Sequence, residues 1–380
     1  MADKMNFDFD IEEFERDVKI KVVGVGGGGG NAVANMVRNN VEGVEFIVVN
    51  TDVAALMKMD GNSMERVQIG RRTTRGRGAG GKPPVAEESA KENREDIAEQ
   101  LKGATLVFIA AGMGGGTGTG AAPIVAEIAS EMGILTVGVV TKPFDFEREY
   151  KMNLALQGIA ELRKNVDTLV IVPNQRLLSI REKNISMKAA YEMVDDVLLQ
   201  AVKGISDLVN GAGFINIDFS DVKATLEKAG DAHMAIGHGK GENAAEQAVQ
   251  EIVTSPLLET SIRNAGKLLV NLQVSEDTSL DVVNTVMNLL TESASADVQV
   301  IHGVAFGDDL DDEIIVTVIA TCFQDEDGNA YVTSDEEISE VLSGISSDSA
   351  VFPATPGSVS EFEDDDHSDL FDLLNSRGSK

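Results

Sequence analysis

The chain has 380 residues, a hydrophobic content of 43% and a formal net charge of −31 at pH 7. This length accommodates two domains with cores of their own, and the excess of negative charge argues against direct nucleic-acid binding. Cys322 is the only cysteine, which excludes an intrachain disulfide and favours a reducing compartment. Because no apolar stretch is long enough to span a bilayer and the acidic N-terminus lacks a signal-peptide layout, we expect a cytoplasmic protein without direct membrane insertion.

The first part of the chain alternates apolar runs with helical patterns. Buried strands are predicted at residues 18–24, 44–50, 106–111, 135–141 and 168–173. Helical patterns lie between them, for example at residues 121–132 and 151–165. This alternation predicts an α/β, Rossmann-like fold, with a parallel sheet and helices on both of its faces.

Two glycine-rich runs each follow one of these strands. The first glycine run covers residues 26–30 and precedes Asn31, and the second covers residues 114–120. Glycine lets backbone N–H groups approach an anion closely, and the start of a helix favours negative charge. Because ligands bind beyond the carboxyl ends of parallel strands, we interpret the two runs as two walls of one phosphate site.

A long helical pattern runs from Ser186 to about Asn210, with apolar residues at spacings of three and four. The glycine-rich residues 211–213 end it. Further helices are predicted at 221–229, 242–255 and 279–292, and strands at 232–237, 267–273, 298–305 and 314–321. The pattern predicts a smaller α+β domain that ends near Phe323.

The end of the chain differs in composition from the rest. Residues 325–372 contain 15 acidic side chains and no Lys or Arg, so we predict a disordered, solvated linker. The last residues contain a short cluster of apolar side chains next to acidic ones, namely Asp369, Leu370, Phe371, Leu373 and Leu374. Such a cluster is typical of a short helix that docks into a groove of a partner.

Two common nucleotide motifs match only in part. Gly24, Gly26 and Gly29 have the spacing of the dinucleotide fingerprint, with Asp52 after the next strand, but that motif leaves the second glycine run unexplained. Residues 76–82 approach the Walker A pattern, yet proline follows at the position that should coordinate Mg²⁺ and no strand is predicted before it. We reject the second motif and keep a dinucleotide-dependent oxidoreductase as an alternative.

The second glycine run, with Gly112 and Met113 before it, closely resembles the signature loop of tubulin-like GTPases. Other segments resemble the FtsZ family of bacterial cell-division GTPases, in the same order and at similar spacing: residues 23–26, 31–33, 49–52, 140–144, 173–174, 216–222 and 255–259. The resemblance covers about residues 18 to 323. A non-hydrolysing scaffold of the tubulin-like group is a third hypothesis, against which the carboxylates of Asp218 and Asp221 speak.

The resemblance implies a domain order and a function. The expected parts are an N-terminal extension (1–17), a GTP-binding domain (18–185), a central helix (186–212), a C-terminal α+β domain (213–323), an acidic linker (324–366) and a partner-binding peptide (367–380). It implies a GTP hydrolase that uses Mg²⁺, with a monovalent cation as a further candidate, and releases GDP. Its copies would assemble head to tail into a ring at midcell, where the terminal peptide would bind membrane tethers and division regulators.

The resemblance also assigns roles to residues. The nucleotide-binding residues that it implies are Gly27, Gly28, Gly29, Gly30, Asn31, Ala79, Gly80, Gly81, Gly114, Gly115, Gly116, Thr117, Gly118, Thr119, Glu147, Lys151, Asn174, Tyr191 and Asp195. Glu147 would accept hydrogen bonds from the ribose, Tyr191 would stack on the base, and Asp195 would accept from guanine. Lys151 stands where the family usually has Arg, and Arg148 where it usually has Gly.

Three further residues are implied in catalysis. Asp218 and Asp221 would orient and polarise the attacking water, and Asn216 would position it. In the family this loop acts on the nucleotide of the neighbouring subunit, which predicts a heterologous contact that repeats into a filament. Taken alone, the two carboxylates could simply be helix caps, which is the usual explanation for Asp at such positions. No side chain is assigned to a metal ion.

Overall fold

The computed structural model describes residues 18–178, 185–210, 214–215, 217–258, 262–295, 297–307, 310 and 312–323. Several sequence predictions fall outside these residues. They are the N-terminal extension (1–17), the glycine-rich helix stop (211–213), Asn216, and the acidic linker with its terminal peptide (324–380).

The described strands form one sheet in the order β3-β2-β1-β4-β5-β6-β7-β10-β8-β9. Strands β1 to β7 run parallel, β10 is antiparallel to both β7 and β8, and β9 is parallel to β8. The strands are β1 Ile20–Val25, β2 Val44–Asn50, β3 Glu65–Gln68, β4 Leu106–Gly112, β5 Leu135–Lys142, β6 Thr168–Pro173, β7 Gly230–Lys240, β8 Ala265–Val274, β9 Gln299–Phe306 and β10 Glu313–Phe323.

Helices cover both faces of the parallel strands. They are α1 Gly26–Arg38, α2 Val53–Met57, α3 Pro83–Glu92, α4 Arg94–Leu101, α5 Thr117–Glu131, α6 Glu149–Arg163, α7 Asn174–Leu177, α8 Met187–Asn210, α9 Phe219–Leu226, α10 Ala244–Val253 and α11 Leu280–Ser293. Short 3₁₀ turns lie at Asp145–Glu147, Gly241–Asn243 and Ile262–Asn264. None of the helices in the described ranges is long and apolar enough to cross a membrane.

The described residues form three apolar core clusters. One contains α1 and α8 on one face of the parallel sheet and extends to Leu269 and Ile319 of the antiparallel strands. A second lies on the opposite face beneath α3 to α6, and a third packs α10 and α11 on the C-terminal strands. Helix α8 therefore packs against both parts of the sheet.

The predicted α/β fold class, with a parallel-sheet domain followed by a C-terminal α+β region, is confirmed. The first glycine run forms the first turn of α1 itself, although glycine has a low helix propensity. One local prediction was wrong. A strand, β3, does precede residues 76–82; its sequence, Glu-Arg-Val-Gln, is too short and polar for an apolar pattern to reveal it.

Candidate nucleotide site

The two glycine runs meet at one edge of the sheet. Strands β1 and β4 pair in parallel, with Val25 opposite Ala111, so both runs begin at their carboxyl ends. A Cβ atom added to Gly26 would lie 2.8 Å from the Gly118 nitrogen, and one added to Gly28 would lie 3.2 Å from the Gly112 nitrogen. The backbones of the two runs are thus in direct contact.

The glycines of the first run divide into two kinds. At Gly29, an added Cβ would lie 2.1 Å from the Ala110 carbonyl oxygen, which means that packing alone requires glycine. At Gly27, which is exposed, no atom would lie within 4 Å of an added Cβ. Packing does not explain glycine at this second position, whereas a ligand that approaches the backbone would explain it.

A third loop, residues 79–81, lies against the second glycine run. An added Cβ at Gly116 would lie 3.0 Å from Ala79 Cβ and 3.1 Å from the Gly81 nitrogen. Gly80 and Gly81 have φ angles of +60° and +72°, and an added Cβ at either would meet no atom within 4 Å. The three predicted nucleotide-binding segments therefore converge, and the side-chain positions of Gly80 and Gly81 are open.

One hydrogen bond at this convergence was not anticipated from the sequence. The buried Thr51 hydroxyl lies 2.8 Å from the Thr117 hydroxyl at the start of α5. It fixes the first residue of that helix relative to β2. A threonine directly after a predicted strand was the only local signal for this role.

Glu147 is the centre of a second cluster. Its Oε1 accepts from the Phe144 amide at 3.1 Å, and its Oε2 accepts from Lys151 Nζ at 2.9 Å. Burial, followed by the charge of Glu147 and a hydrogen bond to it, raises the pKa of Tyr191. The Phe144 and Tyr191 rings meet edge to face at 5.3 Å.

Lys151 and Arg148, the two departures from the family pattern, lie beside this cluster. Lys151 forms an ion pair with Glu147 one helical turn earlier, a spacing that favours such pairs. Arg148 has φ +76° and ψ 161°, a conformation that glycine adopts far more readily. The backbone here therefore keeps a glycine-like shape with an arginine in place.

Asn174 lies at the end of β6, close to the same cluster. The adjacent Gln175 accepts from the Asp145 amide at 3.2 Å, which joins α7 to the turn that holds Glu147. Asn174 is only 4% exposed, and its Oδ1 has no hydrogen-bond partner among the described residues. A buried acceptor of this kind fits a ligand that supplies an N–H group.

Asp195 lies one turn after Tyr191 on α8 and is half-buried. Burial, together with the neighbouring charges of Asp196 and Glu192, raises the pKa of Asp195 to about 6, while Arg38 opposes this shift. At neutral pH the side chain is an ionised acceptor in a poorly solvated position. It suits paired N–H donors such as those on one edge of guanine.

The two predicted catalytic carboxylates lie elsewhere. Asp218 caps α9 by accepting from the Ser220 amide at 3.0 Å, and both Asp218 and Asp221 are exposed. The last residue of α9, Leu226, accepts from the Thr168 hydroxyl at the start of β6. Helix α9 therefore ends at the amino edge of the parallel strands, opposite the edge that carries the glycine runs.

Helix α8 separates the two groups. Tyr191 and Asp195 lie in its first turns, and residues 217–221, here called the acidic loop, follow its far end. From Tyr191 to Asn210 the helix rises about 28 Å. The structure brings the predicted nucleotide residues together and keeps the acidic loop apart from them.

Two features bear on the alternative sites. Asp52, the acidic residue of the dinucleotide fingerprint, accepts from the Ala54 amide at 2.8 Å as the cap of α2. In the part of the chain that the structure describes, no three His, Cys, Asp or Glu side chains converge on a metal position.

The site and fold agree with what the chain resembles. Residues 19–182 match the GTPase domain of the Tubulin/FtsZ family, and residues 230–324 match the C-terminal domain of the FtsZ family. An FtsZ from M. jannaschii, solved as an empty dimer, is 37% identical, with 82% of this chain and 90% of that chain covered and a TM-score of 0.77. A point mutant of FtsZ from the same organism gives 37% identity, 82% and 94% coverage, and a TM-score of 0.78.

A more distant neighbour shares the fold alone. CetZ2 from Haloferax volcanii, solved as a GTPγS-bound protofilament, is 20% identical, with coverage of 86% and 98% and a TM-score of 0.70. The two domain matches, and the 37% identity to FtsZ over most of both chains, decide the assignment. This chain belongs to the FtsZ family of tubulin-like GTPases, whose members bind GTP and GDP and hydrolyse GTP.

Proposed function

We propose that this chain is a cytoskeletal GTPase that assembles head to tail into the cell-division ring, and that GTP hydrolysis between subunits drives turnover of the polymer. One observation carries the proposal. The glycine-lined site and the acidic loop lie at opposite edges of the parallel sheet, so one chain does not complete the reaction centre.

The nucleotide phosphates would bind where the three loops converge. At Gly27 in the first turn of α1 and at Gly115 just before α5, there is open space where a Cβ would lie. Both positions lie at helix N-termini, which favour an anion. Gly80 and Gly81 would contact the terminal phosphate. A triphosphate would therefore be held from three sides.

The nucleoside would bind beside Glu147. This carboxylate would accept from the ribose hydroxyls, with Lys151 released from it toward the ribose and phosphates. Tyr191 would stack on the base. Asn174 Oδ1 and the Asp195 carboxylate would accept N–H groups of guanine, which adenine does not present at the same positions.

The acidic loop of the next subunit would face the terminal phosphate. Asp218 and Asp221 would orient and polarise the attacking water, with Asn216 beside it. A Mg²⁺ ion bound by the phosphates would neutralise developing charge, and a monovalent cation is a further candidate.

Features at both edges support contact with a second copy. Beside the acidic loop, Phe214 is 73% exposed and its ring lies 5.3 Å from that of the exposed Phe306. Near residues 79–81 there is a basic, exposed segment, consisting of Arg71, Arg72, Arg75 and Arg77. Apolar and acidic groups on one edge would complement cations on the other. The related structures solved as a dimer and as a protofilament also support association between copies of this chain.

The remaining parts keep the roles that the family resemblance implies. We propose a cytoplasmic protein concentrated at midcell, with the domain boundaries that the resemblance implies. The terminal peptide, with Leu370, Phe371, Leu373 and Leu374, would bind membrane tethers and division regulators. Deletion of residues 369–380 should leave polymerisation in vitro unchanged and abolish recruitment to the ring, and loss of polymerisation would contradict this role.

The proposal can be tested by complementation between two inactive variants. Asp221→Ala should bind GTP and assemble without releasing phosphate, and Gly115→Trp should fold without binding GTP. If the carboxylate acts on the neighbouring nucleotide, an equimolar mixture should release phosphate although neither variant does alone. Light scattering should show a critical concentration for the wild type.

The opposite results are clear. The reaction would take place within one chain if the mixture were as inactive as its components. The same conclusion would follow if the wild-type rate of GTP hydrolysis per molecule did not depend on protein concentration. Tight binding of a nicotinamide dinucleotide without assembly would favour the oxidoreductase alternative.

A further inference from the structure

Helices α1 and α8 are joined by a side-chain hydrogen bond between residues 161 positions apart. Asn35 Nδ2 on α1 donates to Asp196 Oδ1 on α8 at 2.9 Å. Asn35 is polar but only 8% exposed. The bond connects the helix that begins with the first glycine run to the helix that carries Tyr191 and Asp195.

The orientation of the Asn35 side chain is fixed by its other contacts. Its Oδ1 accepts from Arg38 Nη2 at 3.3 Å and from Asn39 Nδ2 at 3.2 Å. Because these donors occupy the oxygen, the nitrogen must face Asp196. The Asn35 carboxamide therefore has one orientation, in which its nitrogen donates to Asp196.

The link constrains the rotation of α8. Successive residues of a helix project about 100° apart, so holding Asp196 against α1 also sets the direction of Asp195. Tyr191 lies one turn earlier on the same side as Asp195. The bond to Asp196 thus constrains the face of α8 that contains both predicted base contacts, in addition to the apolar packing of this helix on the core.

We infer that Asn35 is a positioning residue for base recognition: by holding Asp196, it keeps the base-contacting face of α8 in register with the phosphate-contacting end of α1. The inference rests on the proposed role of Asp195 as an acceptor for guanine. It predicts that Asn35 contributes to selectivity for the base and contributes little to binding of the ribose and phosphates.

Inosine diphosphate isolates the contact to the 2-amino group, because it lacks only that group of GDP. The affinity ratio of GDP to inosine diphosphate should fall about tenfold in Asn35→Ala, the scale of one hydrogen bond to a charged group. The affinity for inosine diphosphate should fall by a smaller factor than that for GDP, because inosine diphosphate keeps the N1–H donor and the ring that stacks on Tyr191. Asn39→Ala, which removes one donor to Asn35 and leaves the bond to Asp196, should keep the ratio within about twofold of wild type.

A swap of the two partners supplies the decisive variant. Asn35→Asp alone removes the donor and places a carboxylate beside Asp196, so it should lower the ratio as Asn35→Ala does. The double variant Asn35→Asp/Asp196→Asn restores a donor and an acceptor with the same net charge. It should recover the ratio to within about threefold of wild type.

The pH profile gives a second readout that loss of packing alone would not move. The charged groups near Asp195 are Asp196 and Glu192 on α8 and Arg38 on α1. Asn35→Asp adds another negative charge, so the midpoint of the pH dependence of GDP binding should move upward and return toward wild type in the swap. Circular dichroism and the melting temperature verify folding, and the swap stays informative if Asn35→Ala fails to fold.

The outcomes separate two failures. An unchanged ratio in Asn35→Ala, or a swap no better than Asn35→Asp, would overturn the role of Asn35. A wild-type chain that binds GDP and inosine diphosphate equally well would instead contradict the assignment of the 2-amino contact to Asp195, whatever Asn35 does.

Discussion

The carboxyl edge of the parallel sheet and the acidic loop differ in how their shapes are set. At the carboxyl edge, backbones approach so closely that an added Cβ at Gly29 or Gly118 would lie 2.1 or 2.5 Å from a carbonyl oxygen. In the acidic loop, Asp218 caps its own helix and Asp221 is exposed to solvent. Packing within one chain therefore sets the shape of the carboxyl edge. The acidic loop, in contrast, has side chains that are available to another molecule.

The largest expected effect concerns Asp218 in the acidic loop. Two substitutions can separate its role as the cap of α9 from its proposed role in catalysis. Asp218→Asn keeps a side-chain oxygen for the Ser220 amide, so stability should stay within about 0.5 kcal/mol. Loss of the carboxylate should nevertheless lower phosphate release by at least about a hundredfold. Asp218→Ala should show the same kinetic loss and also lose about 1 kcal/mol of stability.

Phosphate release at saturating GTP and urea unfolding of the GDP-bound protein measure these two effects. If Asp218→Asn retains wild-type turnover, the Asp218 carboxylate serves only as a cap of α9. The exposure of the acidic loop would then have no role in catalysis through this residue.

The second prediction tests whether the two kinds of glycine in α1 differ as the geometry indicates. Gly29→Ala should destabilise the protein by more than about 3 kcal/mol, because its Cβ would overlap the Ala110 carbonyl. Gly27→Ala should fold and gain up to about 1 kcal/mol, because alanine favours helix and meets no atom.

The same Gly27→Ala protein should bind GDP about tenfold or more weakly, since its methyl group would occupy the phosphate approach. Thermal unfolding without nucleotide and calorimetric titration with GDP give the two values. Unchanged GDP affinity in a stable Gly27→Ala protein would exclude this part of α1 from the phosphate site.

The third prediction concerns pH and Asp195, whose pKa is raised from the ordinary aspartate value of 3.8 to about 6. The folded state binds the proton more tightly than the unfolded state, so this group's contribution to stability is present at low pH and is lost as pH rises from about 4 to about 6. Nucleotide binding should show the opposite trend, because the base needs the ionised acceptor. GDP affinity should fall by up to about tenfold per pH unit below pH 6.

Asp195→Asn is the matched variant. It should flatten both pH dependences, increase stability at pH 7 and weaken GDP binding there. Titrations between pH 5 and 8, with unfolding curves at the same values, provide the test. A GDP affinity that keeps its acid decline in Asp195→Asn would assign the decline to a different group.

The smallest expected effect is at Arg148. Its φ of +76° with ψ of 161° favours glycine, so Arg148→Gly should raise stability by about 1 kcal/mol, the strain relief being partly offset by unfolded-state entropy. Arg75→Gly is a suitable comparison, because Arg75 has φ +53° and is less strained. Melting temperatures rank the two, and a lower melting temperature for Arg148→Gly would show that the arginine side chain stabilises the turn.

Local patterns in the sequence predicted the parts of the molecule whose residues repeat at a regular spacing. The periodic apolar side chains of α8 predicted nearly its full length. The apolar runs predicted the parallel strands other than β3. The short polar strand β3 and helices α3 and α4, which lack such patterns, were missed. Lys151 and Glu147 are four residues apart, so helical spacing could have predicted their ion pair. It was not predicted, because both residues were assigned to contacts with the ligand.

The predictable part of the candidate site was its backbone, since a glycine run directly after a buried strand indicates close approach of backbone to backbone or to a ligand. The bond from Asn35 to Asp196 was not predictable, because no local pattern relates residues 161 positions apart. The same holds for Thr51 and Thr117, which meet only because the end of β2 and the start of α5 lie at the same edge of the sheet. These contacts depend on how helices and strands are placed, and not on the periodicity within any one of them.

The pairing of β7 has a mechanical consequence. This strand joins β6 only from Thr168 to Val170, whereas it joins β10 from Glu313 to Ala320. The short seam is reinforced by the two hydrogen bonds from Arg163 to Asp231, at 2.9 and 3.0 Å. If a protein of this kind carried tension along a polymer, we expect extension to begin at this seam, with the parallel and antiparallel strands on either side still intact.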